Sequence, residues 1–346
     1  MKKSVLVVFG GQSSEHIVSC MSAINVIKNI DTERYDVTLI GITEEGKWLL
    51  VDSVEQIEDE SWRKNTTTAI LSPDATEKSV IVLKDGKAEM IRIDVVFPVL
   101  HGLWGEDGTI QGVLNYLGIP YTGPGVTASA MAIDKDLTKR VWRSAGIPVP
   151  EGVMIDPKAD DAVLEEAIAC LGATGLVVKP AHDGSSIGVT KLAEPTVAAL
   201  RKALEDAAGV RGDEVLVEEY IHGREFTVAV LDGRALPVIE IRAPEGDYDF
   251  NNKYFGDAVH YDCPAKLEDE AAATLGSLCE RAFAAVGARG WSRIDALQRA
   301  DGSFALLEIN TSPGMTPHSL VPMAARAVGM DYADLCLKVL SLARCD

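Results

Sequence analysis

Four polar residues interrupt two apolar runs in "SRIDALQRADGSFALLEINTSPGMT" (292–316): Arg293, Asp295, Glu308 and Asn310. The runs have strand character, and Asp301-Gly302 between them is a two-residue hairpin signal. A turn there sets Asp295 opposite Glu308 and Arg293 opposite Asn310. Side chains alternate faces with period two, so all four share one face. Two carboxylates opposed across a ladder repel, and burying a lone carboxylate is costly, unless a cation meets them. Oxygen-only donors (Asp295, Glu308 and the Asn310 carbonyl) suit magnesium or manganese rather than zinc. Magnesium takes one or two carboxylates together with substrate phosphates, so the pattern points to a nucleotide site. The competing reading is a solvated face of an edge strand, where acids cost little.

A second group lies in "VVKPAHDGSSIGV". Lys179 ends an apolar strand, and Gly184, Ser185 and Ser186 follow in a loop. Backbone N–H groups and serine hydroxyls in such a loop can wrap phosphate oxygens while the lysine supplies charge. A surface hairpin with a solvated lysine would look the same. The loop is not GxxxxGK[ST], which excludes a P-loop. Likewise "GGQSSE", after the first strand, is not GxGxxG. Glu44 and Glu45 after the second strand cannot replace the missing glycines of a dinucleotide site.

These residues need a scaffold. "SVLVVFGG", "YDVTLIGIT" and "VVFPVLHG" read as strands, with helices over "SEHIVSCMSAINVIKNI" and "DGTIQGVLNYLG", the grammar of a doubly wound parallel sheet. The polar stretch 53–92 reads as an insertion, with a small hairpin at "VLKDGKAEM". Glycines and prolines at 119–125 mark a boundary. Beyond it come a helix through Arg140, the strand–loop–strand around Lys179, the helix "TVAALRKALEDAAG" and the strand "EVLVEEYI". From about 219 strands are hairpin-linked, turning at Asp232-Gly233. The unpatterned polar stretch 243–264 has the length of a lid or binding loop.

At 346 residues the chain suggests two or three domains. Its formal net charge of −19 argues against nucleic acid, though not against a local basic pocket. No apolar run exceeds strand length, so no membrane span is expected. The run behind "MKK" is too short for a signal peptide. Cys20, Cys170, Cys263, Cys279, Cys336 and Cys345 lack metal-type spacing and read as reduced thiols of a cytoplasmic protein.

"FGGQSSEHIVS", "VFPVLHGLWGEDGTIQG", "AIDKDLTK", "KPAHDGSSIGV", "DFNNKY", "WSRIDAL" and "LLEINTSPGMTPHSLVP" follow one another as in D-alanine–D-alanine ligases, members of the ATP-grasp enzymes. The resemblance covers essentially the whole chain outside 53–92. It implies an α/β, three-domain ATP-grasp fold: a doubly wound parallel-sheet domain (1–123) and mixed α+β central (124–218) and C-terminal (219–346) parts with ATP between them. It also implies ligation of two D-alanines for peptidoglycan. ATP phosphorylates the first carboxylate, and the amine of the second D-alanine displaces phosphate.

Carried over by residue, the resemblance makes Asp295, Glu308 and Asn310 ligands of two Mg2+ (or Mn2+) ions. Lys135, Lys179 and Lys253 face the phosphates, with Ser186 in the phosphate loop. Glu218 and Glu225 are adenine- and ribose-side acids. Glu15 receives the first D-alanine amine. Arg293 and the Gly314 N–H form the oxyanion site. Ser319 and Leu320 clamp the second D-alanine, with His101 nearby. Glu15, Ser185 and Tyr254 form a triad that ties a lid over the site. The other histidines are expected to be structural. K+ is a candidate activator, and a homodimer is implied.

Two positions bear on the second substrate. D-lactate-forming relatives carry histidine where this chain has Tyr254, and D-serine-forming relatives tend to carry arginine at Leu320. Both point to D-alanine, with the D-lactate and D-serine ligases as alternatives. Pro317, where serine is more familiar, departs from the family pattern. An NAD-dependent oxidoreductase and a silent ATP-binding regulator are the competing classes.

Overall fold

The computed structural model describes residues 2–182, 184, 187–209, 215–243 and 259–346. The first part runs β1 (Lys3–Gly10), α1 (His16–Asn29), β2 (Tyr35–Ile42), β3 (Trp48–Val51), α2 (Val54–Glu58), β4 (Thr68–Leu71), β5 (Ser79–Lys84), β6 (Lys87–Arg92), β7 (Val95–Leu100) and α3 (Thr109–Tyr116). These strands form one sheet in the order β6-β5-β4-β3-β2-β1-β7. Its parallel pairs are β1 with β2 and β1 with β7, and the pairs from β2 to β6 are antiparallel. The physical reason is connection length. Helix α1 gives β1 a crossover to β2, whereas the short turn after β2 permits only an antiparallel return.

The stretch expected to be an insertion therefore continues the sheet through β4, β5 and β6. Its hairpin forms where "KDGK" places it, with Asp85 and Gly86 both at positive φ (51° and 74°). The same stretch sends Trp62, from a 3₁₀ turn (Ser61–Lys64), into the core with no exposed surface, edge-on to Phe9 at 5.3 Å between ring centroids. Gly41 makes room for it, since a Cβ there would lie 2.4 Å from the indole.

The chain continues through α4 (Val126–Ile133), α5 (Lys135–Ser144), β8 (Gly152–Ile155), α6 (Asp161–Leu171), β9 (Leu176–Pro180), β10 (Thr190–Leu192), α7 (Val197–Ala208) and β11 (Val215–Glu219). Strands β10-β9-β11-β8 form an antiparallel sheet. Leu164 of α6 and Leu200 and Leu204 of α7 are buried with Val178 and Val217 in its core.

The last part comprises β12 (Glu225–Leu231), β13 (Arg234–Ala235), β14 (Ile239–Arg242), β15 (His260–Asp262), α8 (Asp269–Ala285), β16 (Trp291–Gln298), β17 (Phe304–Asn310), α9 (Leu320–Ala327) and α10 (Tyr332–Ser341). Its sheet has the order β15-β14-β12-β16-β17, with β13 paired to β12. One face buries Phe226, Ile294 and Leu306 beneath α8, together with Trp142 from α5. Helix α5 thus leans on this third sheet, and its lysines reach the space between the second and third sheets. The other face shares a core with the first sheet, where Phe9 and Val99 join Leu231, Ile241, Leu320 and Leu335. No helix among the described residues is long and apolar enough to cross a membrane.

Candidate active site

The four polar residues of the opening motif do share one face. Asp295 pairs with Glu308 and Arg293 with Asn310. The route to that register differs from the expectation. The turn is a three-residue loop, with Arg299 N–H bonded to Ser303 O at 2.8 Å and Gly302 at φ 87°. That loop alone would put the acids one residue out of step. A bulge follows Ala296↔Leu306, where the pairing shifts before Asp295↔Glu308. The extra residue restores the alignment.

Asp295 is 5% exposed. Its carboxylate receives a bidentate pair from Arg293 (2.9 and 2.8 Å), the Thr227 hydroxyl (2.6 Å) and the Asn310 amide (3.4 Å). Lys135 lies 3.3 Å from Glu308 Oε2. Protein cations therefore already meet both acids. Among the described residues no cluster of three or more Asp, Glu, His or Cys side chains is assembled for a metal. Two carboxylates and an amide nonetheless fit magnesium, which completes its shell with phosphate and water oxygens.

Above this face lies a cavity of about 560 Å3 between the second and third sheets, lined among others by Lys135, Lys179, Glu218, Glu225, Asp295 and Glu308. Strand β9 delivers Lys179, and β11, hydrogen-bonded beside it, delivers Glu218. Glu218 is 2% exposed and its two oxygens are divided between lysines, Lys139 on Oε1 and Lys179 on Oε2 at 2.7 Å. Burial works against these charges, but the two ammonium groups win at Glu218 and hold its carboxyl below the usual range. Burial dominates at Lys139 and pushes it down to about 7 despite Glu218. At Lys179 burial is overcome by Glu218, and the ammonium is held above its ordinary value.

A smaller polar cleft adjoins the cavity and shares Lys135, Gly184 and Glu308 with it; Glu15, Glu106, Asn310 and Thr311 complete its polar lining. Glu15 stands at the N-cap of α1, turned there by Gly10, whose φ of 85° and a would-be Cβ contact of 2.3 Å with Ile42 O both require glycine. Burial, then the charge of Glu15, push the Glu106 carboxyl up to about 8.

His101 is buried, with Nδ1 2.7 Å from Ser312 O and Nε2 3.3 Å from Ser22 Oγ. Burial lowers its basicity, so a neutral ring donating from Nδ1 fits these contacts. Glu106 accepts from Ser312 N and Gly102 N, both at 2.8 Å, and Ser22 Oγ accepts from Met315 N at 3.0 Å. The loop carrying Gly314 is thus fastened to the first part of the chain. Ser319 Oγ accepts from Thr316 N at 2.8 Å, and the exposed Pro317 leaves that turn intact. Leu320 buries its side chain in the core shared with the first sheet, so a ligand can meet only its backbone.

Glu15, Lys135, Lys179, Glu218, Glu225, Asp295, Glu308 and Asn310 therefore gather around two adjoining cavities, with Arg293 bonded to Asp295 beside them and His101, Gly314 and Ser319 on the adjoining seam. Ser185, Ser186, Lys253 and Tyr254 lie outside the described residues.

A family model described as D-ala D-ala ligase C-terminus matches residues 141–341, and its N-terminal counterpart matches 4–124. The chain belongs to the D-alanine–D-alanine ligase family. It is an enzyme of that ATP-dependent class. Among curated relatives it is 48% identical to a D-alanine–D-alanine ligase of Bordetella petrii over 256 residues, covering 73% of this chain and 76% of that one. It is 43% identical to one of Rhodococcus opacus over 352 residues, covering 96% and 94%. Among solved structures, the VanG D-Ala:D-Ser ligase of Enterococcus faecalis superposes with a TM-score of 0.87 at 34% identity, covering 99% of each chain.

Sequence reasoning in this ligase missed Glu106, Ser22 and Lys139. For Lys139 a signal existed: in "DKDLTK" it stands four residues after Lys135, which places both on one helix face. Glu106 and Ser22 carried no comparable signal, because their partners lie 206 and 293 residues away.

Proposed function

We propose that the chain joins two D-alanines into D-alanyl-D-alanine through a D-alanyl phosphate, for peptidoglycan precursors. The observation that carries this reading is the junction at Lys135 and Glu308. A nucleotide-sized cavity and a small acidic cleft meet there, as transfer of a γ-phosphoryl group to a carboxylate requires. In this reading Lys179 and Lys135 hold the phosphates, with Lys253 and Ser186 beside them. Glu218 and Glu225 line the adenosine side. Magnesium or manganese, held by Asp295, Glu308 and Asn310, would neutralise phosphate charge.

Glu15 binds the ammonium of the first D-alanine and orients its carboxylate toward the junction. Arg293 and the Gly314 N–H stabilise the oxyanion formed when the second amine attacks. Ser319 and the Leu320 backbone position that second substrate, and His101 fixes the loop that carries them. Ser185 and Tyr254 complete a lid with Glu15, excluding water from the acyl phosphate.

The division into 1–123, 124–218 and 219–346, a cytoplasmic location and a homodimer belong to the same reading. Tyr254 favours D-alanine as the second substrate; Leu320, whose side chain is buried in the core, does not bear on that choice. The likeness to a D-Ala:D-Ser ligase keeps D-serine as the second reading. The test is phosphate release from MgATP with D-alanine alone and with D-serine or D-lactate added, with products identified by mass and K+ varied. D-alanyl-D-alanine as the main product is expected. A main product of D-alanyl-D-serine or D-alanyl-D-lactate would overturn the substrate assignment and leave the chemistry.

A further inference from the structure

The Lys139–Glu218–Lys179 cluster goes beyond what phosphate binding by one lysine needs. The side chains are 1%, 3% and 11% exposed, so the carboxylate has little water to share. Lys139 comes from α5, Glu218 from β11 and Lys179 from β9. Glu218 and Lys179 line the large cavity, whereas Lys139 stands behind them.

We infer that Lys139 is a positioning residue of the nucleotide site: by occupying Glu218 Oε1 it limits Lys179 to Oε2 and keeps that ammonium at the cavity. A buried carboxylate deprived of one donor draws the remaining cation onto both oxygens, since its unmet lone pairs have no other compensation. Without Lys139, Glu218 takes Lys179 bidentately and withdraws it from the phosphates. The role needs only an N–H aimed at Oε1, which either protonation state of the amine supplies. It also links α5 to the site at both ends of one helical turn, because Lys135, one turn earlier, meets Glu308 at 3.3 Å.

This inference rests on the nucleotide reading of the cavity, so the test begins with MgADP binding to the unaltered enzyme by calorimetry. No binding there would overturn both. Given binding, Lys139→Met is expected to raise the KM for ATP and the Kd for MgADP by roughly ten- to a hundred-fold, the scale of a lost charge-assisted hydrogen bond. Both D-alanine KM values should stay within about three-fold by the same reasoning, because no hydrogen bond in the small cleft is lost.

Lys139→Arg, which keeps N–H donors, is expected to lie closer to wild type than Lys139→Met. Glu218 itself faces the adenosine, so Lys139→Met/Glu218→Gln is compared with Glu218→Gln alone: with the charge that withdraws Lys179 removed, loss of Lys139 should change MgADP affinity by less than about three-fold. That double variant also keeps the test alive if Lys139→Met alone fails to fold, since it leaves no unpaired buried carboxylate. KM values for ATP and D-alanine that rise together would overturn the inference. So would an unchanged MgADP Kd, or a double variant that binds MgADP roughly ten-fold or more weakly than Glu218→Gln alone.

Discussion

Removing the Arg293 guanidinium tests the stability and the chemistry of the site at once. Asp295 and Arg293 side chains are 7% and 15% exposed, and their fork-to-carboxylate contact has both bonds below 3 Å. Breaking a buried pair by removing one partner costs about 3–5 kcal/mol, because the surviving charge stays desolvated. Thr227 keeps its 2.6 Å bond to Asp295, so Arg293→Ala should fall at the lower end, about 3 kcal/mol. Arg293→Lys keeps a point charge without the fork and should fall between.

The assay is urea unfolding followed by fluorescence, with and without millimolar MgCl2. An ion drawn to Asp295 and Glu308 compensates the unpaired buried charge, so magnesium should narrow the gap between variant and wild type. In turnover, loss of one oxyanion donor should lower kcat by roughly 10²–10³-fold, with a smaller change in KM. A midpoint within about 0.5 kcal/mol of wild type at unchanged slope would refute the premise that the carboxylate is buried and dependent on Arg293. A KM effect that exceeds the kcat effect would refute the oxyanion role.

Four other outcomes are expected. Glu240 is held down to about 2 by hydrogen bonds from Arg224, with burial opposing and Arg242 assisting. A depressed carboxyl stabilises the fold above its unfolded value of 4.5 and loses that contribution as pH falls from there toward about 2. Glu240→Gln should therefore flatten the acid slope of stability in that window, read by fluorescence at stepped pH. Gly41→Ala places a Cβ 2.4 Å from the buried Trp62 ring and should cost about 1–3 kcal/mol in thermal or urea unfolding. Tyr254→His should raise D-lactate incorporation at the expense of D-alanine by mass analysis of products. Leu320→Arg should instead lower solubility and melting temperature, because its side chain is in the core rather than at a ligand.

What could be read from the sequence was local. Period-two alternation put Arg293, Asp295, Glu308 and Asn310 on one face, and the Asp-Gly dipeptides at 85 and 232 marked hairpins that form with both residues at positive φ. The ordered motifs pointed to the ligase family. Even the acid register was reached by compensation: a three-residue loop and a bulge offset one another, and neither leaves a mark in the residue alternation near the turn.

Tertiary structure decided which charge meets which. The acids of β16 and β17 are met by Arg293 and by Lys135 from another part of the chain. Glu218 is shared between Lys139 and Lys179, drawn from a helix and a neighbouring strand. Ser312 is fixed by His101 and Glu106 across about two hundred positions. Stretch 53–92, which reads as a polar insertion, supplies the buried Trp62. Alternation and turn chemistry act over a few residues and are written in them. A buried charge is compensated by whichever group the packing of distant elements brings within hydrogen-bond reach, and no local pattern carries that information.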